Sequence, residues 1–96
     1  MQGRSALASP VPFGDGLRCV GGTLERLYVK NASGGVVTAP QVGDPSIRAV
    51  SAAHGDPIAP GSVRLYQVLY RDPDLGFCAA PRGNSFNVGN ALRVTW

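Results

Sequence analysis

The strongest alternation of apolar and polar positions lies over residues 63–70 (VRLYQVLY). In an extended chain Val63, Leu65 and Leu69 fall on one face and Tyr66, Val68 and Tyr70 on the other. Apolar side chains on both faces predict a central strand. Residues 91–96 alternate in the same way, with Leu92, Val94 and Trp96 on one face, and predict the closing strand. Residues 23–30 read as another strand, Leu27 and Val29 opposing Arg26, Tyr28 and Lys30, with 36–39 returning as its hairpin partner across the turn 31–35. Shorter apolar stretches at 17–20, 46–52 (Ile47 and Ala49 against Arg48) and from Phe77-Cys78 to Pro81 complete the set.

Turn chemistry separates these segments. Gly14-Asp15-Gly16, Gly21-Gly22, Gly43-Asp44-Pro45, His54-Gly55-Asp56-Pro57 and Pro60-Gly61 all punctuate the chain. Five or six short strands at roughly 8–12-residue spacing predict an all-β fold, a small antiparallel β-sandwich or alternatively a small β-barrel. Pro10 and Pro12 mark residues 1–13 as an irregular lead-in or the remnant of an upstream strand, leaving 14–96 as the sandwich domain.

The chain has 96 residues, enough for one domain with a thin core. Its 13 glycines and 8 prolines leave no room for a long helix, and no apolar run approaches the roughly 20 residues of a membrane-spanning one. The net charge of +3 raises nucleic acid as a partner, but the basic residues are scattered from Arg4 to Arg93 without a run, which argues against it. Cys19 and Cys78 are too far apart for a CxxC redox or zinc motif. A disulfide between them would stabilise by about 4 kcal/mol in the chain-entropy model, and a small breaker-rich β domain benefits from such a staple. Two separate buried thiols are the alternative. The disulfide implies an oxidising compartment, hence a secreted or cell-surface protein. Residues 1–10 contain no apolar stretch of signal-peptide length, so the export signal is expected to lie elsewhere in a longer parent chain.

The ordered strings GDGLRCVGG (14–22), RLYVK (26–30), GDPSI (43–47), VRLYQVLYRDP (63–73), FC (77–78) and NALRVTW (90–96) resemble a C-terminal, β-rich module of large secreted or surface proteins of environmental bacteria. The resemblance covers about residues 14–96. It implies an end domain following repeat or propeller regions, of which this chain is the back portion, and it implies no particular activity.

Candidate chemistry is sparse. His54, the only histidine, lies in a turn near Ser51 and Asp56, but no serine sits in a Gly-x-Ser-x-Gly elbow. The sole glutamate, Glu25, with scattered turn aspartates does not suggest a glycosidase pair. These readings point away from an enzyme. Asp72 and Asp74 flank Pro73, and loop carboxylates of that kind suit weakly bound calcium; no other cofactor is expected. Aspartate before proline also opens turns by bonding its own backbone. Tyr28, Tyr66 and Tyr70, if gathered on one exposed sheet face, would stack on sugar rings, with Arg26 and Gln67 as polar handles. The first expectation is a non-enzymatic structural or interaction module of an exported protein, partnered by other domains of its parent chain or by self-association. The alternative is a carbohydrate-binding module recognising polysaccharide.

Overall fold

The computed structural model describes residues 1–76 and 83–96. Its elements are β1 (Gln2–Gly3), β2 (Ser5–Phe13), β3 (Gly16–Gly21), α1 (Ile47–Ala53), β4 (Val63–Arg71) and β5 (Phe86–Thr95). The fold is mostly β and its sheets are antiparallel, with three strands ordered β1–β4–β5 and two ordered β2–β3.

β4 is central, as its two-faced apolar pattern predicts. It pairs with β5 from Val63–Thr95 to Arg71–Phe86 and with β1 through Tyr66–Gln2 and Leu65–Gly3. The far edge of β1 is closed by one residue: Gln2 and Glu25 exchange both backbone hydrogen bonds, at 2.8 and 2.9 Å. The β4–β5 register slips once. Gln67 opposes Ala91 and Leu69 opposes Val88, so Val68 faces both Gly89 and Asn90 in a β-bulge on β5.

Of residues 1–13, read from sequence as an irregular lead-in or the remnant of an upstream strand, Gln2–Gly3 and Ser5–Phe13 are strands. Pro10 and Pro12 are tolerated because, among the described residues, β2 pairs with β3 alone, so a missing N–H on its outer side costs no ladder bond. The β2–β3 hairpin turns through Gly14-Asp15 between the paired Phe13 and Gly16; Gly14 has φ +63° and Asp15 does not cross to positive φ, the pattern of a type II′ turn. Between Ala6–Val20 and Val11–Arg18, β2 advances further than β3, leaving Cys19 opposite a wide bulge.

The hairpin packs on the sheet face that carries Leu65 and Gln67. Contact there is close enough to require glycine: a Cβ on Gly3 would overlap Gly21 O and lie 2.5 Å from Val20 Cγ1. Val20, Leu65 and Val88 are buried, as is Ile58.

The alternating stretch 46–52 lies in the helix α1 (Ile47–Ala53) and its N-cap rather than in a strand. Ser46 caps α1, its Oγ accepting from Ala49 N–H at 3.2 Å. At the other end Gly55 (φ +83°) donates to Ala52 O and Asp56 donates to Ser51 O, the paired bonds of a Schellman motif. The inward residues Ile47, Val50 and Ser51 follow helical spacing, which the apparent alternation of Ile47, Arg48 and Ala49 concealed. Residues 23–30, expected as a strand, pair only at Glu25, since the edge they would join, β1, is two residues long. Without that strand, the expected hairpin with 36–39 stops after the Ser33–Val36 bridge.

The molecule is flat, 45 × 34 × 18 Å, with a radius of gyration of 14.6 Å, against about 12.5 Å for a compact chain of this length. Its accessible surface is 6496 Å², about a quarter more than the roughly 5,200 Å² expected for its mass. Val68, Tyr70 and Leu92 are among the large apolar side chains left exposed.

Candidate functional site

On the sheet face opposite the hairpin, a polar cluster joins β1, β4 and the end of α1. Adjacent strands set Gln2 beside Tyr66, and the Schellman turn after α1 brings Asp56 against them. The Asp56 side chain is 6% exposed, and its carboxylate accepts Arg64 Nε (3.0 Å) and Nη2 (2.7 Å) bidentately, Gln2 Nε2 (2.9 Å) and Arg4 Nη2 (2.7 Å). Gln2 Nε2 also donates to Ser51 Oγ at 2.8 Å, and that hydroxyl donates to the Asp56 carbonyl. The hydrogen bonds from Arg64, and behind them the one from Arg4, hold the Asp56 carboxyl below the usual carboxylate range, against the opposing effect of burial. Ser51 is fully buried, and His54 turns Nδ1 toward Glu25 Oε2 at 3.4 Å instead of toward Ser51. This arrangement ties elements together and offers no serine–histidine contact for nucleophilic chemistry.

Gln67, expected as an exposed polar handle, is 2% exposed and serves the backbone. Its Nε2 donates to Leu17 O and Gly89 O, both at 2.8 Å, and its Oε1 accepts Cys19 N–H at 3.2 Å. Gly89 and Cys19 lie at the bulges of the two sheets, where ladder partners are lost. One buried amide thus satisfies backbone groups that two irregularities leave open.

The tyrosines do not form one exposed platform. Tyr66 meets Trp96 edge-on with centroids 6.3 Å apart, its hydroxyl accepts Trp96 Nε1–H at 3.0 Å, and burial pushes its phenol upward. Tyr28 is half-buried and donates to Pro45 O at 2.7 Å, next to the Lys30–Asp44 ion pair at 2.6 Å. Tyr70 alone of the three is exposed. Arg26 is exposed on the irregular segment after Glu25.

Asp72 Oδ1 accepts Asp74 N–H (3.2 Å) and Asp74 Oδ1 accepts Gly76 N–H (2.9 Å), so the calcium candidates form successive Asx turns. Among the described residues no three His, Cys, Asp or Glu side chains gather as metal ligands. Cys19 is half-buried on β3; Cys78 lies outside the described residues, and the expected bridge with it.

What stands open is the flank of the larger sheet. Among the described residues no strand pairs with the outer edge of β5. The backbone alternation shows which groups face outward. Trp96 N–H donates to Ser62 O, on the β4 side, so Ala91, Arg93 and Thr95 turn their N–H and C=O away from β4. Beside this edge lie the exposed Leu92, Val68 and Tyr70, and at the start of β5 a cavity of about 290 Å³ is lined by Phe13, Leu69, Arg71, Ser85 and Phe86. Comparisons with protein-family models, characterised proteins and solved structures find no match to the chain.

The buried roles of Gln2, Arg64 and Asp56 had no local signature. The only hint was the glycine at 55, which marks a helix end and would have placed Asp56 in its closing turn.

Proposed function

We propose that this chain is a non-enzymatic structural and interaction module of an exported bacterial protein, a small β-sandwich whose larger sheet is extended at β5 by a strand from another domain or another molecule. The observation that carries this reading is the open edge of β5, with three outward N–H groups next to exposed apolar side chains. Such an edge is a template for strand addition; Arg93 and the bulge at Gly89 and Asn90 disfavour indiscriminate pairing but leave residues 91–95 open to a complementary strand. The large surface for the chain's mass supports the same reading: a standard interface hides about 800 Å² per partner, and the excess here is of that order. Export is part of the proposal: the likeness of residues 14–96 to end modules of secreted proteins implies it, and a Cys19–Cys78 disulfide is what this reading expects.

Hydrogen exchange tests the proposal. In the isolated, dilute chain the amides of Ala91, Arg93 and Thr95 are expected to exchange rapidly while those of Tyr66 and Gln67 on β4 are protected. Protection of all three in a monomer would mean that the chain covers its own edge, and the proposal would fall. The carbohydrate reading retains one exposed ring, Tyr70, and no observation favours it over strand addition.

A further inference from the structure

We infer that the strand completing the sheet at β5 is an extended segment of different sequence, with a carboxylate opposite Arg93 and apolar residues at the alternating positions, rather than β5 of a second copy. The inference rests on the interaction-module reading and specifies its partner.

Charge comes first. β4 and β5 carry Arg64, Arg71 and Arg93 and no acidic residue. Asp56 neutralises Arg64. Arg71 and Arg93 are exposed and have no ion-pair partner among the described residues. Register places both on one face: Arg93 opposes Leu65, and Arg71 lies on the same side of β4 as Leu65 and Leu69. The next strand outward from β5 therefore meets Arg93 as a direct cross-strand neighbour, where a carboxylate stabilises and a like charge destabilises.

Self-pairing fits this edge poorly. The bulge at Gly89 and Asn90 leaves a regular ladder only over residues 91–95. An antiparallel two-fold pairing centred on Arg93 sets one guanidinium directly against the other. Centred on Leu92, it joins the two leucines but leaves each Arg93 over an alanine, unpaired, while bringing together two chains of charge +3. A segment alternating acidic and apolar residues has neither fault. Its carboxylates meet Arg93, and its apolar side chains extend the exposed surface of Leu92, which is 62% exposed, and Val94 on the other face.

The test uses the whole chain and two synthetic peptides of about ten residues, alternating valine with threonine and carrying either two glutamates or two lysines. Binding is followed at low salt by amide exchange at Ala91, Arg93 and Thr95. The glutamate peptide is expected to slow these amides and to bind about fivefold more tightly than its lysine twin. Arg93→Glu, at an exposed position, should reverse the preference. Equal binding of both peptides overturns the charge inference and leaves the interaction-module reading standing. So do edge amides protected only in a chain of dimeric mass. Edge amides that exchange rapidly and are slowed by neither peptide overturn both.

Discussion

Replacing Asp56 by asparagine separates the two ion pairs that share its carboxylate. Arg4 and Arg64 both reach Oδ1 at 2.7 Å, yet their side chains are 57% and 10% exposed. Distance predicts equal contributions; solvation predicts very different ones. An exposed pair contributes about 0–1 kcal/mol, because water screens it and the long side chain must be ordered. Removing the acid partner of a buried guanidinium costs about 3–5 kcal/mol, because the remaining charge has neither water nor a counter-ion. Asparagine preserves the shape but points an N–H₂ at donors from Arg64 or Gln2. Urea denaturation followed by circular dichroism should give a loss of about 3–5 kcal/mol for Asp56→Asn and no more than about 1 kcal/mol for Arg4→Ala. The pH dependence carries the same signature. The carboxyl lies below its unfolded value near 3.9, so its contribution is fully present above that pH and is lost as pH falls through the lower, folded-state value. The wild type should therefore lose stability below about pH 4 more steeply than Asp56→Asn. Equal losses for the Arg4 and Asp56 variants, or identical acid limbs, would refute the burial argument.

Other perturbations probe the scaffold that presents the open edge. Gln67→Met keeps the volume but strands Cys19 N–H and the Leu17 and Gly89 carbonyls; a loss of about 3 kcal/mol by urea denaturation and faster exchange at the Cys19 amide are expected. Gly3→Ala drives a methyl into Gly21 O and Val20, and a cost of about 1–3 kcal/mol should appear as a lower midpoint of thermal unfolding. Without reductant, the proposed Cys19–Cys78 bridge makes the intact mass two hydrogens lighter than the reduced chain, and reduction should remove about 4 kcal/mol of stability. An unchanged mass would withdraw the disulfide and the main chemical support for export.

Local pattern determined the elements whose causes are local. The two-faced alternation of 63–70 specified β4, the residues up to Trp96 specified the end of β5, and Gly14-Asp15 specified a tight turn, since side-chain period and turn conformation depend only on near neighbours. The helix at Ile47–Ala53 is legible too, in Ser46 and Gly55, but the apparent alternation of Ile47, Arg48 and Ala49 masks those caps. Tertiary structure decided the rest. Prolines in β2 are acceptable only because the strand lies at an edge, and residues 23–30 lack a ladder only because β1 is short. Gln67 reads as a polar surface residue until two bulges, on strands distant in sequence, place open backbone groups around it. The same holds for Asp56: whether a carboxylate in a turn faces water or a buried guanidinium depends on which strand the chain later lays beside it. The edge of β5 is likewise a property of sheet order. Residues 91–95 have the same alternation whether or not another strand follows, because alternation records the faces of a strand and carries no information about its flanks.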